Sequence, residues 1–103
     1  MPKFMIAYYG GNKPTSKEEG ETQMKNWKSW VEGLGKTIVN PGTPFMGTKI
    51  VTLNDVQDET DPNAMKGYAI IESENFEDAI EIAKSDPFLK TEGTVRVSQM
   101  MEM

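Results

Sequence analysis

Three segments of this chain carry apolar side chains on both faces of an extended backbone, and no other feature constrains the fold so tightly. In "KFMIAYY" (Lys3–Tyr9), Phe4, Ile6 and Tyr8 alternate with Met5, Ala7 and Tyr9. Successive residues of a strand point to opposite sides, so neither side of this one suits water. The run 66–72, "KGYAIIE", sets Tyr68 and Ile70 against Ala69 and Ile71. A last strand, predicted from about 94 to 101, sets Val95, Val97, Gln99 and Met101 against Thr94, Arg96, Ser98 and Met100. A sheet built from such strands has to be covered twice.

Helices supply one cover. Ser16 followed by Glu19 fits a capping box, and Trp27, Trp30, Val31 and Leu34 recur at the spacing of one helical stripe, which Met24 extends. Gly33 and Gly35 suit the helix end. In "NFEDAIEIAKSDP", Asn75 is the expected N-cap, with Glu77 and Asp78 in the first turn, where the helix dipole favours anions. Phe76, Ala79, Ile80 and Ala83 form its stripe, and Pro87 bars continuation. Between the helices, "KTIVNPG" and "FMGTKIVTL" are two β-prone runs separated by Pro41, Gly42 and Pro44, read as an interrupted or bent strand near an edge, that is, two strands or a hairpin. "NDVQDETDPNAM" reads as an acidic, turn-rich loop.

The order is βαββαβ within one predicted domain, 1–103. Right-handed crossovers place both helices on one face of an antiparallel sheet, which gives an α+β ferredoxin-like sandwich. The helix-free face is expected to carry Met5, Ala7, Tyr9, Ala69, Ile71 and the methionine-rich terminus. Such a patch is larger than soluble monomers usually leave exposed. The expectation is a homodimer joined through that face about a two-fold axis.

Composition excludes several chemistries. The chain has no histidine and no cysteine, so histidine triads, histidine-ligated zinc and thiolate chemistry are ruled out. A net charge of -5 with no basic cluster argues against nucleic acid. Asp55, Asp58, Glu59 and Asp61 lack the spacing of a calcium loop, and neither a metal nor a cofactor is expected. "MPKFMIAYYGGNK" is too short in its apolar run for a signal core or a membrane span; a cytoplasmic address with no membrane partner is the default expectation.

Acid–base work must then fall to Asp, Glu, Lys, Tyr or Arg. Asp86, between the second helix and the last strand, either caps a turn through its own backbone or stands as a carboxylate at a cleft mouth. Trp27 and Trp30 are either core or the wall of a pocket for a flat ligand. One of Tyr8 and Tyr9 can offer a hydroxyl to a ligand. Arg96, the only arginine, either pairs with a carboxylate or binds an anionic group.

"MPKFMIAYYG" at the start, the Pro-Gly-containing middle and "GYAIIESENFEDAIEIAKSDPFLKTEGTVRVSQMMEM" at the end together resemble the YCII-related (DGPF-type) domain family. The resemblance runs over nearly the whole chain and is strongest over 67–103. It implies a dimeric α/β barrel of ferredoxin-like protomers, with a cleft in which a histidine and an aspartate work on a small substrate. Asp86, in "SDPF", fits the aspartate. Gln23 and Met24 stand where the histidine is implied, and "DETDPNAMKGY" replaces the DGPF segment. Two readings follow: a homodimeric small-molecule-binding or accessory protein, or a small lyase-, isomerase- or monooxygenase-type enzyme using Asp86 without histidine.

Overall fold

A computed structural model describes residues 1–103. Its order is β1 (Lys3–Tyr9), α1 (Lys17–Leu34), β2 (Ile38–Asn40), β3 (Lys49–Val51), β4 (Val56–Asp58), β5 (Met65–Glu72), α2 (Phe76–Lys84) and β6 (Thr94–Gln99), with 3-10 turns at Gly35–Thr37 and Pro87–Thr91. Four strands form one antiparallel sheet in the order β2-β5-β1-β6. Leaving aside β3 and β4, this is the interleaved pairing of two split βαβ units. The architecture is α+β and ferredoxin-like.

Local signals hold at both helix starts. Ser16 Oγ accepts from the Glu19 N–H at 3.1 Å, and Asn75 Oδ1 accepts from the Asp78 N–H at 2.8 Å. Each satisfies a backbone donor that the first helical turn leaves without a partner. Gly35 ends α1 with φ 54°, in the left-handed region that favours glycine.

Register settles which side chains share a face. Ile6 pairs with Ala69 and Val97, and Phe4 with Ile71. The core is therefore Phe4, Ile6, Tyr8, Ala69, Ile71, Ala79 and Ala83. Ala69 and Ile71 accordingly lie on the helix side, not on the helix-free face expected of them. Their places are taken by Tyr68 and Ile70, which pair with Ala7 and Met5. The sequence shows that both faces are apolar but not which residue lies opposite which, and a one-residue slip exchanges the faces.

Three further expectations are corrected. β6 ends at Gln99, so Met101 and Met103 lie outside the sheet and exposed. The middle segment divides between two sheets: β2 joins the main sheet, whereas β3 pairs with β4 as a separate hairpin. β4 itself lies inside the segment read as a loop. Finally, the apolar stripes are not fully buried. No residue of α1 is buried, Met24 is 48% exposed, and Phe76 and Ile80 of α2 flank an open apolar groove beside β6. The reason in α1 is that a cleft opens beneath it.

Candidate functional site

Tyr8 is the next-to-last residue of β1 and points to the helix side. Its hydroxyl donates to Asp86 Oδ2 at 2.6 Å. Asp86 Oδ1 accepts from the Phe88 N–H at 2.9 Å, so the carboxylate caps the 3-10 turn Pro87–Thr91 while it holds the phenol. Only 2% of Asp86 is exposed. The Phe88 ring meets the Tyr8 ring edge-on, with centroids 5.0 Å apart, and fixes the phenol laterally.

Burial pushes the Asp86 carboxyl up from the ordinary carboxylate range, against the lowering effect of the hydrogen bonds from Tyr8 and from the Phe88 N–H. The Tyr8 phenol is also held well above its usual value. Burial is the largest cause, followed by the charge of Asp86 and the hydrogen bond to it, and a smaller influence of the Trp27 side chain acts the other way. The proton thus rests on Tyr8, and Asp86 is its acceptor.

Tyr8 lines a cleft of about 430 Å³. Met24 and Trp27 of α1 line it as well, as does Phe88 of the Pro87–Thr91 turn. Pro41, Thr43 and Pro44 wall the other side. That wall is held by the Phe45 N–H, which donates to the Lys66 carbonyl at 2.8 Å, and by a bridge between Pro44 and Gly67. Gly42 sits at φ 69°, and a Cβ there would come 1.7 Å from the Tyr68 carbonyl oxygen. Only glycine lets the wall approach β5 this closely.

Of the residues singled out from the sequence, Tyr8, Trp27 and Asp86 come together. Asp86 meets the cleft through the Tyr8 hydroxyl, since it does not itself line the space. Trp30 stands apart. Its indole N–H donates to Ser85 Oγ at 2.8 Å, and its ring packs on the core, tying α1 to the residue next to Asp86. Arg96 lies on the other face of the sheet, with its guanidinium 4.5 Å from the Tyr9 ring centroid; it makes no ion pair with a carboxylate. Gln23 and Met24, at the position where the resemblance implies a histidine, both line the cleft. Phe88 and the 41–44 wall were not singled out as site residues. "DPF" marked the first only as a family-like motif, and the second carries no chemical signal at all.

No group of three or more acidic, histidine or cysteine side chains converges to hold a metal ion. Asp58 pairs with Lys49, while Asp55 and Asp61 accept from nearby backbone N–H groups. No helix is long and apolar enough to cross a membrane.

No protein-family model matches the chain, and no curated protein matches it. Among solved structures it is similar to 5-chloro-2-hydroxyhydroquinone dehydrochlorinase (TftG) from Burkholderia phenoliruptrix AC1100, in complex with 2,5-dihydroxybenzoquinone. Identity is 20%, the match covers 98% of this chain and 95% of that one, and the TM-score is 0.60. At that identity the likeness is one of fold, and it agrees with the strand order in placing this chain among α+β proteins of ferredoxin-like architecture.

Proposed function

We propose that this protein is a homodimeric small-molecule-binding protein, related in kind to the YCII-type domains, whose cleft takes a small, flat, hydroxylated ring. The observation that carries the reading is that Tyr8, whose hydroxyl is held by Asp86, lines a cleft together with the aromatic residues Trp27 and Phe88. Aromatic walls suit a flat ligand, and a few fixed polar groups orient it. Because the Tyr8 proton is committed to Asp86, the phenol oxygen is left to accept from a ligand hydroxyl. The ring-like ligand of the structural neighbour supports the same ligand class.

Calorimetric titration with hydroquinone and with 2,5-dihydroxybenzoquinone tests the reading. At least one should bind with a Kd in the micromolar-to-millimolar range, and Trp27→Ala should weaken it by about tenfold, on the order of 1–2 kcal/mol for one lost aromatic wall. Absence of heat with both ligands at saturating concentration would end this reading.

Dimerisation is supported by the helix-free face, where Met5, Tyr9, Tyr68 and Ile70 remain partly exposed, although Arg96 lies against Tyr9 and Phe45 against Tyr68. Burial is sparse as well. Only 12 of 103 residues are buried, and small domains gain most from added burial. Light scattering at micromolar concentration should return twice the chain mass. Ile70→Glu, which sets a charge in the middle of the face, should give a folded monomer; a monomeric parent protein would rule the dimer out.

A second reading, an acid–base enzyme of lyase or isomerase type, is favoured by the Tyr8–Asp86 hydrogen bond. A ring hydroxyl that donates to the Tyr8 oxygen can pass its proton there as the Tyr8 proton moves to Asp86. The ring oxygen keeps the electron pair, and the reverse transfer regenerates the site. A carboxylate raised by burial is a stronger base than an exposed one. Asp86→Asn is the variant that decides between binding alone and catalysis.

A further inference from the structure

The charges around the cleft are one-sided. Asp and Glu make up 16 of the 103 residues, and the net charge is -5, yet no acidic residue lines the cleft. Its only charged lining residues are Lys66 and Lys90, both exposed at the rim. Neither forms a salt bridge. The two salt bridges of the molecule join Lys49 to Asp58 and Lys84 to Glu81. Glu92, two positions from Lys90, accepts from the Asn12 amide, and Glu19, next to the lining residue Gly20, accepts from Thr15 and Gln23. Asp86, behind the floor, turns both carboxylate oxygens to Tyr8 and Phe88.

From this we infer that the ligand is an anion: a flat ring with a hydroxyl directed at the Tyr8 oxygen and a carboxylate, or an equivalent negative group, at the lysine rim. The inference rests on the proposed ring-binding cleft and adds the charge of its occupant. Unpaired lysines in an acidic protein leave a local positive potential, which draws anions and disfavours cations. An ammonium against a carboxylate is also a stronger contact than one against a neutral amide.

The test compares two ligands that differ in charge and little else, 2,5-dihydroxybenzoate and 2,5-dihydroxybenzamide, by calorimetric titration. The benzoate should bind about five- to tenfold more tightly, and its affinity should fall with added salt while the benzamide's stays constant. Lys66→Met/Lys90→Met should weaken the benzoate until it binds no more tightly than the benzamide, and should leave the melting temperature unchanged, since both side chains are exposed and form no salt bridge. Equal affinity for the two ligands, or a preference that survives the double substitution, overturns the anion assignment alone. Binding of neither ligand overturns the ring-binding reading beneath it.

Discussion

Phe4→Ala is expected to lower the unfolding free energy by about 3–5 kcal/mol, the largest stability effect of any single truncation in this chain. Phe4 is fully buried, and its ring meets Phe76 edge-on with centroids 5.1 Å apart. Only seven residues form the core cluster, so few neighbours are available to relax into the space. A domain of this size is stable by roughly 5–15 kcal/mol in total, which leaves the variant with a small margin. Urea denaturation should show the midpoint displaced far downward with little change in slope. Leu53→Ala is the matched control. Leu53 is 98% exposed in the turn between β3 and β4, and its loss should shift stability by less than about 0.5 kcal/mol. Comparable losses for the two variants would contradict the core described above.

The second large effect belongs to the Tyr8–Asp86 pair. Asp86 has a folded pKa raised above its unfolded value by burial. Its contribution to stability is therefore present in full below the ordinary carboxylate pKa of about 3.9 and is lost as pH rises through the folded value. Tyr8→Phe removes a hydrogen bond that restrains this rise, so the folded pKa climbs further and the loss deepens. The variant should be close to the parent in acid and weaker by about 1–3 kcal/mol once the carboxylate ionises without its hydroxyl donor.

Asp86→Asn has nothing to ionise there, and its stability should vary less with pH over the same window. Urea unfolding of the three proteins across about pH 4 to 8 separates these outcomes. If Asp86 is also the base of a reaction on hydroxylated rings, Asp86→Asn should lower kcat by about 10²–10⁴, with ring affinity changed only a few-fold. Undiminished turnover in that variant would leave the pair a binding and structural device.

Much of the fold is legible because its determinants are local. Ser16 and Asn75 cap the helices with acceptors three residues from their donors, a distance the sequence displays. The alternation in Lys3–Tyr9 and in 66–72 marks strands whatever their partners, because the period of two belongs to the backbone. Where signals compete, the reading breaks down. Val56–Asp58 sits among Asn, Asp and Pro residues that read as loop, yet it is paired along its length by Lys49–Val51. The Trp27–Trp30 stripe spaces a helix correctly but does not reveal that Trp30 reaches the core while Trp27 faces open space.

The amino-acid order alone determined the succession of the main-sheet strands and the two helices, the doubly apolar sheet, the capping of α1 and α2, and the absence of histidine and thiolate chemistry; each follows from residue type or from spacings of a few positions. The tertiary structure decided which faces meet, that Tyr8 rather than Tyr9 enters the cleft, and that Asp86 works through Tyr8. Those two residues are 78 positions apart, and their meeting depends on strand register and on the path of the chain after α2. Neither quantity is written in any local stretch of sequence, because both are set by how the whole sheet packs.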